Sequence, residues 1–253
     1  MKTSQPTAST STAFVTGGAS GIGAAIVRTL VARGDRVAFT YWSSADEASA
    51  LAVELGDRVL PIQSDVTDEH QLAGAFAQAV AKFGQVDHVV ANAGGLLERV
   101  KCVDMTLDFW HKAMTLNLTS AFLTCREALR HMVPRGSGSV VIMSSLAGHD
   151  GGGPGASHYG TAKGALLSYT RALAKEVGPQ GVRVNAVAPG LIATRFHDRF
   201  NTPQGRAAGV ERTPLRREGQ PEDVAHAVNY LTSSAASFIT GEVLEVNGGM
   251  AMF

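Results

Sequence analysis

Tyr159 and Lys163 stand four residues apart in a stretch, 159–177, whose pattern predicts a helix, so their side chains share one face a turn apart. A free tyrosine titrates near pH ~10 and is a poor acid or base at neutrality. An ammonium one turn away favours the phenolate and lowers that pKa, and general acid/base catalysis wants a pKa close to the working pH. Alone, such a pair is more often two unrelated surface residues, so it needs company. Ser145 lies at the end of the apolar run SVVIM (139–143), and LAGHDGGGPGAS (146–157) reads as a flexible glycine-rich link to Tyr159. The end of a strand and the start of a helix can therefore converge on one site.

A second group is contiguous. The run TAFVT (12–16) leads directly into Gly17-Gly18-Ala19-Ser20-Gly21-Ile22-Gly23 and then into an Ala-rich helix. Such a turn aims backbone N–H groups and a helix dipole at a phosphate, and glycine lets the backbone approach the ligand. Among the histidines, His149, His158 and His197 have no second ligand at metal spacing, so no metal is expected. His158 is expected to shape the pocket, and Cys102, Met105 and Trp110 to pack around the entry to a long helix.

These groups need a frame. Strands are expected at 12–16, 36–41, 58–63, 86–91, 139–143, 182–187 and 242–246, with helices near 21–33, 45–55, 68–83, 105–133, 159–177 and 221–232. Several strands are nearly continuous in apolar residues, as when helices cover both sheet faces. The alternation predicts an α/β, Rossmann-type doubly wound parallel sheet of about seven strands, in one domain over 12–253 after a polar, disordered tail, 1–11. The stretch 188–220 lacks a clear pattern and reads as a lid or binding loop.

Composition narrows the function. Of 253 residues, 45% are hydrophobic and 17% charged, which suffices for a large core, and 28 glycines imply many turns. Lys plus Arg is 22 and Asp plus Glu is 22, so the basic footprint of a nucleic-acid binder is missing. With no apolar run of membrane-spanning length and no signal-like start, a soluble cytoplasmic protein is expected, with two buried free thiols rather than a disulfide.

The turn has the spacing T-G-x-x-x-G-x-G from Thr16 to Gly23, and here the sequence resembles the short-chain dehydrogenase/reductase superfamily, in its single-domain branch of roughly 250 residues. The resemblance runs in order through Asp65-Val66, Asn92-Ala93-Gly94, Asn117, Ser144-Ser145, Tyr159-x-x-x-Lys163, Pro189-Gly190 with Thr194, and Asn247-Gly248-Gly249. It implies an NAD(P)(H)-dependent oxidoreductase. Gly17, Ser20, Gly21, Ile22 and Gly23 would cradle the pyrophosphate, and Asp65 with Val66 would meet the adenine. Read without the resemblance, Asp65 would be a helix N-cap. Asn92, Ala93 and Gly94 would pass under the adenine ribose, and Pro189, Gly190, Ile192 and Thr194 would hold the nicotinamide end. Ser145 would fix the substrate oxygen, Tyr159 exchange the proton, Lys163 bind ribose, and Asn117 hold a relay water. The gap from Ser145 to Tyr159 is one residue longer than the commonest family spacing.

Tyr41 stands where NAD-preferring relatives have an acid, which removes the usual selector against a 2′-phosphate. Ser20 and Trp42 stand where NADP-preferring relatives often carry Arg or Lys, leaving Ser43 and Ser44 as weaker phosphate donors. NADP(H) is expected over NAD(H). The leading expectation is a ketone (carbonyl) reductase. The alternatives are a 3-oxoacyl-[acyl-carrier-protein] reductase, a sugar or polyol dehydrogenase, and a non-catalytic nucleotide-sensing member. An acidic carrier requires a basic patch at the mouth, for which Arg126, Arg130 and Arg135 are the candidates. Segment 191–214, with Leu191, Phe196, Phe200 and four arginines, suits an anionic substrate or a solvated lid. Apolar side chains on the long helices (Leu116, Phe122, Leu123 and Leu129; Leu166, Leu167, Tyr169 and Leu173) and the tail Met250, Met252 and Phe253 point to twofold contacts, as does the resemblance, which implies a homotetramer.

Overall fold

The computed structural model describes residues 10–195, 200 and 202–253. The expectations for the first nine residues and for Phe196 and His197 fall outside these residues. Seven parallel strands form one sheet in the order β3-β2-β1-β4-β5-β6-β7. They are β1 Thr12–Val15, β2 Arg36–Tyr41, β3 Val59–Gln63, β4 His88–Ala91, β5 Gly138–Met143, β6 Val182–Pro189 and β7 Val243–Val246. In register, Phe14 lies beside Ala38 and Val89, and Val141 beside Asn185.

The helices are α1 Gly21–Arg33, α2 Ala45–Leu55, α3 Glu69–Phe83, α4 Leu107–Met114, α5 Ser120–Met132, α6 Ala147–Asp150, α7 Ser157–Val177, α8 Pro203–Arg212 and α9 Pro221–Thr232. Because strand side chains alternate, Phe14, Ala38, Val89 and Val140 pack under α3, α5 and α7. Ala13, Val15, Val37, Phe39, Val90 and Val141 pack on the other face against α1 and α9. Small Ala24 and Ala25 let α1 lie close to the sheet.

Three expectations change. The long helix 105–133 is two helices joined by a π turn, Thr115–Thr119, with Asn117 buried inside it. A π turn commonly marks a functional site, and here it takes the main chain around Asn117 out of α-helical register. The unpatterned stretch 188–220 holds α8, whose Thr202 side chain accepts from Gly205 N at 3.1 Å with Pro203 in the first turn. The glycine-rich link contains the single turn α6.

Both cysteines are free, yet only Cys125 is buried, with its thiol pushed up to about 12 by desolvation. Cys102 is exposed, because its short turn precedes α4 outside the core. Among the described residues no helix is long and apolar enough to cross a membrane.

Candidate active site

The strand order reverses between β1 and β4, and an open parallel sheet binds ligands outside its carboxyl ends at such a point. A cavity of about 630 Å³ lies there. Its walls are Gly17, Ser20, Gly21, Ile22 and Gly23 from the first turn, Asn92, Ala93 and Gly94 after β4, Ser145, Tyr159 and Lys163, and Pro189, Gly190, Ile192 and Thr194 after β6. A larger cavity, about 1210 Å³, opens at the opposite end of the strands around Arg33, Asp87 and Arg183, away from these groups. The chemistry-bearing side chains lie in the smaller one.

The first turn fits a dinucleotide. A Cβ on Gly23 would come 2.0 Å from the Gly17 carbonyl oxygen, so only glycine lets α1 begin this close to β1. Ser20, at the N-cap, makes no side-chain cap bond, and the first turn carries no acid, so its N–H groups and dipole remain for an anion. The turn is braced from β4. Asn92 Nδ2 donates to the carbonyls of Thr16 (2.9 Å) and Gly17 (3.1 Å), and Thr16 Oγ1 accepts from the N–H groups of Asn92 and Ala93.

Tyr159 and Ser145 share a side-chain hydrogen bond. Desolvation raises the Tyr159 pKa, and the Ser145 bond opposes that. Lys163 follows one turn along α7. Its Nζ lies 5.7 Å from the Tyr159 ring centre and donates to the Met143 carbonyl at 2.7 Å. Burial lowers the ammonium itself to about 8. Ser144 is spent on structure, its hydroxyl donating to the Lys163 carbonyl at 2.8 Å, whereas Ser145 Oγ accepts from Ala147 N at 3.1 Å and faces the cavity.

Asn117 does not line the cavity. Its amide is committed to main chain: Oδ1 accepts from Gly95 N (2.9 Å), and Nδ2 donates to Gly95 O (2.8 Å) and Ala113 O (3.0 Å). Both amide hydrogens are thus used on main chain, and Oδ1 keeps one further lone pair. Tyr41, Ser43, Asp65 and Val66 do not line the cavity either, since they sit at the ends of β2 and β3, towards the sheet edge. Asp65 Oδ1 accepts from the N–H and hydroxyl of Thr67, and the N-cap of α3 is Asp68. His158 is fully buried, with Nε2 2.9 Å from the Leu96 carbonyl and its ring edge-on to Phe109.

Beyond Tyr159 a second cavity of about 170 Å³ shares Ser145, Tyr159, Pro189 and Gly190 with the first. Sequence reasoning missed Arg28, Glu47, Arg99 and Asp150 as walls, and had Arg195 and Arg212 only as two of the four arginines of segment 191–214. Arg28, Glu47 and Arg195 line the cavity of about 630 Å³, and Arg99, Asp150 and Arg212 the one of about 170 Å³. The Thr202-Pro203 cap signal, by revealing α8, would have placed Arg212 on a helix.

A sequence profile of the family described as "Enoyl-(Acyl carrier protein) reductase" matches residues 17–251. A cis-4-hydroxycyclohexanecarboxylate dehydrogenase of Sinomonas cyclohexanicum is 39% identical over 94% of this chain and 95% of its own. A 3-oxoacyl-[acyl-carrier-protein] reductase of Escherichia coli (strain K12) is 37% identical over 95% and 97%. A solved short-chain dehydrogenase/reductase of Serratia marcescens, a doubly substituted variant, superposes with a TM-score of 0.89 at 35% identity, covering 96% of this chain and 98% of that one. A 3-ketoacyl-(acyl-carrier-protein) reductase of Brucella melitensis, solved with NADH, gives 0.89 at 28% identity over the same shares.

Proposed function

The chain belongs to the short-chain dehydrogenase/reductase superfamily and is an NAD(P)-dependent oxidoreductase of carbonyl or CH–OH groups, and on that premise we propose that it is a ketone reductase for small substrates. One observation carries the reading. Tyr159 and Ser145, hydrogen-bonded to each other, form the wall between a dinucleotide-sized cavity and a second cavity of about 170 Å³. A cavity of about 150 Å³ takes one benzene ring, so a single ring or short chain suits the second. The name of the Sinomonas relative describes a ring alcohol of that size.

When bound, the nicotinamide supplies or accepts the hydride at the substrate carbon. Tyr159 holds the proton at the substrate oxygen, giving it as a ketone becomes an alcohol and taking it in the reverse direction. Ser145 orients that oxygen. Lys163 meets the ribose, and its positive charge favours the tyrosinate during turnover. Asn117 fixes the Gly95 main chain behind the site and, with a water, links Lys163 to bulk as a proton relay. Gly17, Ser20, Gly21, Ile22 and Gly23 bind the pyrophosphate, Asn92, Ala93 and Gly94 the adenine ribose, Pro189, Gly190, Ile192 and Thr194 the nicotinamide end, and Asp65 with Val66 the adenine. NADP(H) is preferred to NAD(H): no carboxylate ends β2, and Ser20, Tyr41 and Ser43 leave room and hydroxyls for a 2′-phosphate.

The three arginines expected to form a basic patch for an acyl carrier are each ion-paired, which supports the small-ketone reading. Arg126 pairs with Glu69, Arg130 with Glu127 at 2.8 Å, and Arg135 with Asp87 at 2.7 Å, the last at the amino ends of the strands. Leu123, Leu166, Leu167 and Leu173 are buried within the chain. Phe122, Tyr230, Phe238, Met252 and Phe253 stay exposed and supply the apolar surface for a homotetramer, which light scattering at four times the chain mass would support. The function is tested by nicotinamide absorbance with a panel of ketones. Turnover of single-ring or short-chain ketones is expected, and strong preference for an acetoacetyl thioester over all of them would overturn the reading.

A further inference from the structure

Among the described residues, the second cavity is lined by a cation that the fold does not pair. Other arginines of the segment 195–217 are engaged: Arg195 pairs with Glu47, Arg206 with Glu218 and Arg217 with Asp223, and Arg216 donates to the Glu211 carbonyl. Arg212 has no hydrogen-bond or ion-pair partner among the described residues, and it lines the cavity.

The helix aims it there. Gly205, Gly209 and Arg212 all line the cavity, and their i, i+4, i+7 spacing puts them on one face of α8. Gly209 lies so close to Leu191 that a Cβ would come 2.8 Å from Leu191 Cδ2. The two glycines therefore bring α8 against the cavity without filling it, and Arg212, exposed to solvent, lies on the same face of the helix. Two other charges face the same space. Arg99 is tethered to the carbonyls of Phe200 (3.1 Å) and Pro154 (2.9 Å), and Asp150 Oδ1 accepts from Gly152 N at 2.8 Å. Much of the remaining wall is apolar: Leu96, Leu146, Leu191 and Met250. Two cations and one carboxylate leave the cavity lining, which includes Ser145 and Tyr159, with a positive balance.

We propose that the cavity takes a small oxo or hydroxy carboxylate, its carbonyl or alcohol oxygen at Ser145 and Tyr159 and its carboxylate on Arg212. This rests on the carbonyl-reductase reading for one end of the substrate only. A guanidinium matches a carboxylate with two parallel N–H bonds, which lysine cannot copy. The competing role for Arg212 is structural, since a cation in the last turn of a helix favours the macrodipole.

The test compares 4-oxocyclohexanecarboxylate with its methyl ester, using the full chain with NADPH, in wild type, Arg212→Met and Arg212→Lys. The wild type should favour the acid by about tenfold or more in kcat/KM, carried by KM, as one charge-assisted pair supplies. In Arg212→Met that acid-to-ester ratio should fall towards one, and Arg212→Lys should restore part of it. A ratio near one in wild type, or one unchanged by Arg212→Met, overturns the proposal, whatever happens to thermal stability. If neither ketone turns over, calorimetry with cyclohexanecarboxylate on the cofactor-loaded protein separates the two readings. Binding that Arg212→Met abolishes keeps the carboxylate site while the reductase reading falls, and binding that is absent or unaltered removes both.

Discussion

The Lys163 ammonium donates to the Met143 carbonyl, 2.7 Å away across the end of β5, and so is held by main chain rather than by Tyr159. That bond fixes the cation in a buried place, and burial lowers its pKa from 10.5 to about 8. The folded state thus binds this proton less tightly than the unfolded chain does. Below about pH 8 both states hold it and the burial penalty is present in full. As pH rises from about 8 to 10.5 the folded state releases the proton first and the penalty disappears. Wild type should therefore gain stability over Lys163→Met across that window in urea titrations, and a pH-independent difference would refute the buried cation. Reduction by wild type should weaken over the same range, where the positive charge beside the site is lost.

Tyr159 and Ser145 answer to a different experiment. Desolvation raises the phenol and the Ser145 bond lowers it, so Ser145→Ala should raise the Tyr159 pKa further. The tyrosinate absorbance difference between each protein and its Tyr159→Phe counterpart reads that shift directly. Tyr159→Phe itself should cut turnover by about a hundredfold or more, the usual worth of a positioned acid, while cofactor still binds. Full activity in Tyr159→Phe would remove the tyrosine from the chemistry.

What the sequence made legible was local. The bounds of α1, α2 and α9 were readable because glycine follows α1 and α2, and proline opens α9. The glycine turn and the Tyr159–Lys163 pair were readable because each lies within one or two turns of chain. Partnerships between distant segments were not. Nothing in the spacing foretold that Lys163 would donate to a carbonyl on another element, or that Arg195 would meet Glu47, 148 residues away. Helix α8 was hidden by its composition, since glycines and arginines blur the apolar stripe and leave Gly209 as its buried residue. The π turn left only Asn117, a polar residue in mid-helix, as its trace.

Gly94 and Gly95 look interchangeable in sequence and are not. A Cβ on Gly94 would come 2.8 Å from Asn117 Oδ1 and 3.2 Å from Lys163 Nζ, whereas one on Gly95 meets nothing within 4 Å. Gly94→Ala should push apart the two side chains behind the site and cost about 1–3 kcal/mol, the range for overpacking. Gly95→Ala should stay close to wild type in urea midpoint. Equal midpoints for the two variants would show that Asn117 and Lys163 are not packed as described.

The proposed preference for NADP(H) rests on the end of β2. Tyr41 is half-buried there, Trp42 and Ser43 are exposed, and no acid occupies the position that would accept a bond from a ribose 2′-OH. Ser44 sits at the N-cap of α2 with its hydroxyl unused as a cap, so the loop's hydroxyls are not consumed by local structure. Asp46 and Glu47 lie one turn further on, and Arg195 ties Glu47 down. Placing a carboxylate at the strand end restores the hydrogen bond to a free ribose and sets a negative charge against a 2′-phosphate. Tyr41→Asp should therefore lower kcat/KM for NADPH relative to NADH by about tenfold or more, roughly one strong charge-assisted interaction. The change should appear chiefly as a higher KM for NADPH, because the phosphate is remote from the reacting carbon and contributes binding alone. Kinetics with both cofactors in wild type and Tyr41→Asp decide it: a wild type that already prefers NADH, or a variant whose ratio does not move, would show that selection lies elsewhere than at the end of β2.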